Sequence, residues 1–76
     1  MSIKEMGALL CRLRGDRPRT EIAEALDVNV STVWRWEAGE SMPGRLEAVL
    51  DAYGASDDDA DEARAIAIDL LLGGAS

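Results

Sequence analysis

The chain has 76 residues, 47% of them hydrophobic, which is enough for one small buried core and leaves no room for a second. A single cysteine and no histidine exclude an internal disulfide, a zinc cluster and the usual catalytic base, so we expect neither an enzyme nor a cofactor. No stretch approaches the roughly 18 apolar residues of a membrane span, and we expect a cytoplasmic protein with no membrane partner.

The net charge of −7 is distributed unevenly along the chain. Residues 1–46 carry seven basic and seven acidic side chains, whereas residues 47–76 carry one basic and eight acidic side chains. The N-terminal part can therefore present a locally positive face to nucleic acid. The overall negative charge still predicts weak non-specific affinity for it.

The first predicted helix begins with a capping box, Ser2 to Glu5, and ends near Arg14, before a glycine. Arg12 and Arg14 lie in its last turn, where cations are favoured by the helix dipole, and both are expected to be ordinary surface charges. The apolar residues that recur at helical spacing should form its buried face: Ile3, Met6, Leu10 and Leu13.

A second helix should begin at Pro18, because the missing N–H of proline is tolerated in the first helical position. The residues of its inner face recur at helical spacing: Ile22, Ala23 and Leu26. The segment from Asp27 to Asn29 then breaks the period and predicts a tight turn. In this turn Val28 points inward as an apolar plug, and Asn29 can cap the following helix through its side-chain oxygen.

The third helix should run from about Val30 to Ala38. Val33 and Trp36 lie three residues apart in it, and this spacing predicts that both are buried. Gly39 comes just after the helix, where a left-handed residue ends a helix at little cost.

A fourth helix is predicted from Pro43, with Gly54 closing it, and a fifth over about residues 58–72. Ser56 to Asp59 would cap the fifth helix and give it an acidic first turn. The fifth helix is apolar over more of its circumference than one core-facing stripe needs. The fourth helix carries its apolar residues at helical spacing: Leu46, Val49, Leu50 and Tyr53.

These five helices predict an all-α fold, a compact five-helix bundle forming a single domain over residues 1–76. Its parts would be a core of residues 1–55, a C-terminal helix over 56–72 and a tail of 73–76. The alternating carboxylates of residues 57, 59 and 61 resemble the start of a calcium loop. Glu62 stands where that loop needs glycine and Ile68 where it needs its closing glutamate, so no metal site is expected.

The turn and the two helices around it resemble the helix-turn-helix of the phage repressor/Cro group of XRE-type regulators, over roughly residues 3–55. The chain departs from that group in having Arg19 where a glutamine commonly opens the first of the two helices, and Asp27 in place of the turn glycine. The resemblance implies a lambda-repressor-like bundle with the helix-turn-helix in helices 2 and 3. The matching positions are Ile22-Ala23, Leu26, Val28, Asn29, Val33, Trp36 and Glu37-Ala38-Gly39.

The same resemblance implies that the third helix enters the major groove of double-stranded DNA. Carried over by position, the residues that would reach base edges are Val30, Ser31 and Arg35, and Trp34 beside them is added as a further base contact. Arg35 has suitable chemistry, because a guanidinium can pair with O6 and N7 of guanine. Trp34 is open to three interpretations: packing on the sugar–phosphate backbone, contact with another protein, or folding over the loop before the fourth helix.

Phosphate contacts are expected from polar and basic side chains around this helix, and these contacts would set the register of the protein on DNA. Arg19 replaces a residue that contacts phosphate in the resembled group, and its charge suits that role. Glu40 lies close by and would repel a phosphate. The residues predicted to contact phosphate are Arg17, Arg19, Asn29, Thr32, Ser41 and Arg45.

The apolar fifth helix has two interpretations. It either forms a homodimer interface through Ile66, Leu70 and Leu71, or wraps deeply into the core of its own chain. A two-fold dimer would place two recognition helices one turn of DNA apart. The function expected is a sequence-specific, repressor-type regulator of transcription that binds double-stranded DNA without a small-molecule ligand.

An alternative from another class is a protein-interaction module built on the same scaffold, such as an antitoxin-like or antirepressor partner. The acidic C-terminal third and an exposed Trp34 motivate it, and a fold of this kind does not by itself guarantee DNA binding. Salt dependence of duplex binding would separate the two functions.

Overall fold

The computed structural model describes residues 3–72, which form five α-helices and no strand. The all-α prediction is therefore confirmed for this part of the chain. The predicted capping residue Ser2 and the predicted tail of 73–76 lie outside the described residues. The helices are α1 (Ile3–Arg14), α2 (Arg19–Leu26), α3 (Val30–Ala38), α4 (Leu46–Tyr53) and α5 (Asp57–Leu72).

The core is formed where α1 packs across α3 and α5 while α2 packs against α3 and α4. Met6 and Leu10 are buried as predicted, and Leu9, which lies outside the predicted face, is buried beside them. Trp36 is 7% exposed, which confirms its predicted place in the core. The buried apolar side chains are Met6, Leu9, Leu10, Ile22, Ala23, Leu26, Val33, Trp36, Val49, Leu50, Tyr53, Ala60, Ala63 and Ile66.

Two helix starts differ from the prediction. Pro18 is not the first residue of α2 but its extended N-cap, with φ −71° and ψ 148°. The larger difference is in α4, which begins at Leu46 instead of Pro43. Arg45 has φ −114° and ψ 75°, outside the helical region, so the chain cannot continue a helix from Pro43 through it. α5 begins at Asp57, and Ser56 caps it, since the Ser56 Oγ accepts from the Asp59 N–H at 3.3 Å.

The fifth helix buries one stripe and exposes another. Ala60, Ala63 and Ile66 face the core, and Ile66 is only 2% exposed. This corrects the prediction that Ile66 belongs to a dimer interface, because its side chain is already packed within its own chain. Leu70 is half-buried against the core, whereas Leu71 is 85% exposed.

A glycine inside α1 lets that helix approach α3 closely. A Cβ built on Gly7 would lie 2.6 Å from the carbonyl oxygen of Glu37 and 2.9 Å from that of Trp36. Glycine costs stability inside a helix, so its presence here is explained by packing instead of helix propensity. The absence of a side chain at Gly7 sets the distance between α1 and the end of α3.

Gly7→Ala is expected to lower the free energy of unfolding by about 1–3 kcal/mol, because the new methyl group meets backbone atoms that cannot rotate away. This loss should exceed the gain in helix propensity. Gly44→Ala is the matched control, since a Cβ at Gly44 meets nothing within 4 Å. Urea unfolding followed by circular dichroism checks both variants. Equal midpoints for the two would contradict the close approach.

Candidate nucleic-acid interface

The turn between α2 and α3 is closed by a left-handed residue. Asp27 has φ 54° and ψ 47°, and its N–H donates to the Glu24 carbonyl at 3.2 Å. The next N–H, of Val28, donates to the Ala23 carbonyl at 3.0 Å. These bonds satisfy the last carbonyls of α2 in the way a glycine C-cap would. Val28 is half-buried against the core, as predicted for the plug of this turn.

Asn29 caps α3 as predicted. Its backbone is extended, with φ −70° and ψ 143°, and its Oδ1 accepts from the Ser31 N–H at 3.0 Å. The Ser31 hydroxyl donates to the same oxygen, also at 3.0 Å. The cap therefore fixes both the start of α3 and the orientation of the Ser31 hydroxyl, whose lone pairs stay available to a donor.

The two sides of α3 differ sharply in exposure. Val33, Trp36 and Glu37 are buried, whereas Ser31, Trp34 and Arg35 are exposed. Val30, also predicted to contact a base, is half-buried and packs partly against the core. Within residues 3–72, the Arg35 side chain has no ion pair and no hydrogen bond. Three of the four predicted base-contact residues thus share the exposed face of α3, and the Arg35 guanidinium on that face is available to bind a ligand.

The buried side of α3 carries a carboxylate whose role in packing the sequence does not predict. Glu37 is 8% exposed overall and its side chain only 2%. Arg14 Nε donates to Glu37 Oε2 at 2.9 Å and Arg19 Nε to Glu37 Oε1 at 3.0 Å. The Tyr53 hydroxyl donates to Oε2 at 2.8 Å, and Cys11 Sγ to Oε1 at 3.4 Å. This Glu37 cluster ties α3 to α1, α2 and α4.

The protonation states in the Glu37 cluster follow from its geometry. Burial would raise the pKa of Glu37, but hydrogen bonds from Arg14, Tyr53 and Cys11 outweigh burial, and the pKa lies below its usual value. Burial, together with the hydrogen bond to Glu37, raises the pKa of the Tyr53 hydroxyl and of the Cys11 thiol. At neutral pH the cluster therefore holds one carboxylate, two guanidinium groups, a neutral phenol and a neutral thiol.

The prediction that Arg14 is an ordinary surface charge is wrong. Its side chain is only 14% exposed, and its hydrogen bond to Glu37 raises its pKa further. A signal for the pairing existed in the sequence: Glu37 lies four residues after Val33 and next to Trp36, on the buried face of α3. A carboxylate on that face requires a buried cationic partner.

Arg19 connects the Glu37 cluster to the exposed face of α3. Its Nε donates to Glu37, and its Cζ lies 3.5 Å from the centroid of the Trp34 ring. The Arg19 side chain is 24% exposed, and Trp34 is 54% exposed. One face of the indole is thus covered by a guanidinium from α2, an arrangement that none of the three interpretations of Trp34 had included.

Of the other residues predicted to contact phosphate, Arg17 is already bound within the chain, whereas Thr32, Ser41 and Arg45 are at least partly exposed. Arg17 donates to the carbonyl oxygens of Ala52 and Tyr53 at the end of α4, with Nη1 lying 3.3 Å from the Ala52 oxygen. It acts there as a cation at a helix C-terminus, and a phosphate would have to compete with two carbonyls. Thr32 and Ser41 are half-buried, while Arg45 is exposed and unpaired within residues 3–72.

Several acidic side chains of α4 and α5 are paired with arginines of the same region or of α1. Arg64 donates to Glu47 Oε1 and Oε2 at 2.7 Å and to Asp61 at 3.0 Å. Arg12 lies 3.5 Å from Glu62 Oε2. These pairs use basic groups outside α3, so they leave Arg35 and Arg45 uncompensated.

An apolar groove runs between the α3–α4 loop and the end of α5. It encloses about 480 Å³ and lies beside the exposed Leu71. Its lining consists of Met42, Pro43, Gly44, Leu46, Ala67, Leu70 and Leu71.

Residues 3–72 contain no group of three or more histidine, cysteine, aspartate or glutamate residues that could hold a metal ion. In the same range, no helix has the length and apolar character needed to cross a membrane.

Comparison with known proteins gives one match. A family model described as a helix-turn-helix domain matches residues 5–63, which is more than half of the chain and includes α2, the turn and α3. No curated protein and no solved structure matches the chain.

Proposed function

Because the chain belongs to the helix-turn-helix domain family, we propose that it is a sequence-specific DNA-binding regulator of transcription, of the repressor/Cro-like XRE type. In this proposal α3 docks in the major groove. The observation that carries it is the exposed face of α3, where the Arg35 side chain has no hydrogen bond and no ion pair among residues 3–72. Arg35 can reach O6 and N7 of a guanine, and the Ser31 hydroxyl, whose hydrogen is donated to Asn29, can accept from a neighbouring base. Val30 would supply apolar contact with a thymine methyl group.

The phosphate contacts in the proposed complex come from Arg19, Thr32, Ser41 and Arg45. Asn29 contributes mainly by capping α3, and Arg17 is left out because α4 already engages it. The two arginines are the charged members, so each protomer neutralises two phosphates. This small number, with a net charge of −7, implies weak sequence-independent attraction, so base contacts must supply a large share of the binding free energy. The regulator would act in the cytoplasm, as its single cysteine favours.

The proposal is tested by titrating a random-sequence duplex pool with the protein at low salt and following binding by fluorescence anisotropy. The duplexes retained with the protein are then separated and sequenced. An enriched motif would support sequence-specific binding. Retention without enrichment would limit the function to phosphate contacts. No retention at low salt would contradict DNA binding and favour the protein-interaction module, with Trp34 and the end of α5 as the surfaces to examine.

We further propose that two copies assemble through the end of α5, with the exposed Leu71 of each copy packing on the groove of the other. Exposed leucines next to an apolar groove on one surface are suited to a two-fold contact, in which the same patch serves both copies. Such a dimer would select half-sites about 34–36 Å apart. It would also neutralise four phosphates, giving a log–log salt slope near −3.6 where a monomer would give about −1.8.

Leu71→Asp is expected to shift the protein from dimer to monomer, because a carboxylate on this surface would lose its hydration in the contact. Leu71 is 85% exposed, so the fold should be unchanged. Ala65→Asp adds the same charge to an exposed position of α5 that does not line the groove. Sedimentation equilibrium measures the mass of each variant. A monomeric wild-type protein, or equal behaviour of both variants, would contradict the proposed interface.

A further inference from the structure

We propose that Trp34 is a positioning residue: it holds the Arg19 guanidinium in place for one backbone phosphate and does not read a base. This inference rests on the proposed DNA binding and adds a role that the position of Trp34 on α3 does not suggest. It begins from the distance of 3.5 Å between Arg19 Cζ and the centroid of the Trp34 ring. A carbon this close to a ring centroid must lie over the face of the ring, in stacking contact.

The guanidinium of Arg19 is fixed from two directions. Its Nε donates to the buried carboxylate of Glu37 at 3.0 Å, and its flat face rests on the indole of Trp34. Together these contacts define both the position and the plane of the group. An arginine held in this way loses less conformational freedom when it binds a ligand than a free surface arginine does.

The remaining donors of Arg19 are available. Among the donors of the Arg19 side chain, only Nε has a hydrogen-bond acceptor within residues 3–72. Nη1 and Nη2, with their four N–H groups, are therefore free to bind a ligand. A guanidinium edge of this kind matches two oxygens of a phosphate. Trp34 also covers one face of the group, which leaves the edge as the direction of approach.

The charge around Arg19 suits an anion in spite of the neighbouring carboxylate. Glu37 is shared between Arg14 and Arg19, so the three side chains together carry one uncompensated positive charge. Arg19 is the more exposed of the two arginines, at 24% against 14% for Arg14. The excess charge is therefore presented at Arg19, at the start of α2 and beside the exposed face of α3.

The stacking contact also limits what Trp34 can do at a base. One face of its indole is occupied by Arg19, and a side chain pinned by stacking cannot swing freely into the groove. Indole has a single hydrogen-bond donor and no acceptor, so it discriminates poorly between base pairs. Base discrimination then falls to Val30, Ser31 and Arg35, with Trp34 acting through Arg19.

The experiment measures binding of the selected duplex and of a scrambled duplex to wild-type protein, Trp34→Ala and Trp34→Phe. Trp34→Ala should weaken both duplexes by the same factor, about two- to fivefold, since exposed cation–π contacts are of that strength. The ratio of the two affinities should be unchanged. Trp34→Phe, which keeps an aromatic face, should recover most of the loss.

A double-mutant cycle with Arg19→Gln completes the test, because glutamine keeps an N–H donor for Glu37 and lacks the guanidinium. Arg19→Gln should make the log–log salt slope less negative by about 0.9 per protomer bound. In that background Trp34→Ala should have almost no further effect. Circular dichroism of each variant confirms that the helices are intact before binding is compared.

Three results would overturn the inference. A changed ratio of selected to scrambled affinity in Trp34→Ala would make Trp34 a base reader. Additive losses in the cycle would show that Trp34 acts independently of Arg19. If the wild-type protein bound no duplex, the proposed function would fail and this inference with it, whereas the first two results leave the proposed function standing.

Discussion

Replacing Glu37 with glutamine is expected to remove a large share of the free energy of unfolding. The change leaves two arginines that are 14% and 24% exposed without their carboxylate, and it turns an amide N–H₂ toward their own N–H donors. Breaking a buried ion pair from one side costs about 3–5 kcal/mol. At typical values per residue, a domain of this length has only about 4–11 kcal/mol of stability. Urea unfolding followed by circular dichroism at 222 nm measures the loss.

The chain offers a matched control in Glu47→Gln. Glu47 also pairs with an arginine, Arg64, through two contacts of 2.7 Å, which are shorter than the contacts of Glu37 with its arginines. Glu47 is exposed, so water replaces the lost interaction and the urea midpoint should stay near the wild-type value. A large and equal shift of the urea midpoint in both variants would show that the ion pair alone, and not its burial, determines the loss of stability.

The sign of the pKa shift makes the same interaction sensitive to acid. Folding lowers the pKa of Glu37, so its contribution to the free energy of unfolding is fully present above the pKa of an unfolded glutamate, about 4.3. The contribution is lost as the pH falls toward the folded pKa. At neutral pH the carboxylate is ionised, and the cluster holds α3 against three other helices.

Local features of the chain could be predicted from the sequence because short-range physics decides them. The break in helical period at Asp27, the cap at Asn29 and the spacing of Val33 and Trp36 each depend on a few neighbouring residues, and the structure confirms all of them. The exposed side of α3 follows from the same periodicity, since three or four residues separate its buried positions. The candidate interface was therefore largely visible in the sequence.

Features that depend on contacts between helices could not be predicted in this way. Gly7 is explained only by carbonyl oxygens of α3, and the partners of Glu37 come from α1, α2 and α4. The stacking of Arg19 on Trp34 joins residues fifteen apart in the chain, and no local pattern indicates it. The start of α4 was misplaced because proline is compatible with a first helical turn, while the conformation of Arg45 delays the helix.

Arg35→Ala is expected to abolish most of the sequence preference while leaving the fold intact. A bidentate arginine–guanine contact contributes about 1–3 kcal/mol of discrimination, so the ratio of selected to scrambled affinity should fall by about 5- to 150-fold. Arg35 is exposed and its side chain is unpaired within residues 3–72, so alanine removes no internal contact there. Anisotropy titrations with the two duplexes, together with a urea midpoint, measure the ratio and the stability.

Arg35→Lys separates the geometry of this contact from its charge. Lysine keeps the positive charge but lacks the rigid fork, so it should retain the salt dependence of the wild-type protein and lose much of its preference for the selected duplex. Arg12→Ala is the control for lost charge alone, because Arg12 lies on α1 and pairs with acidic residues of α5. A loss of preference in Arg12→Ala, or full preference in Arg35→Ala, would place base discrimination elsewhere than on the exposed face of α3.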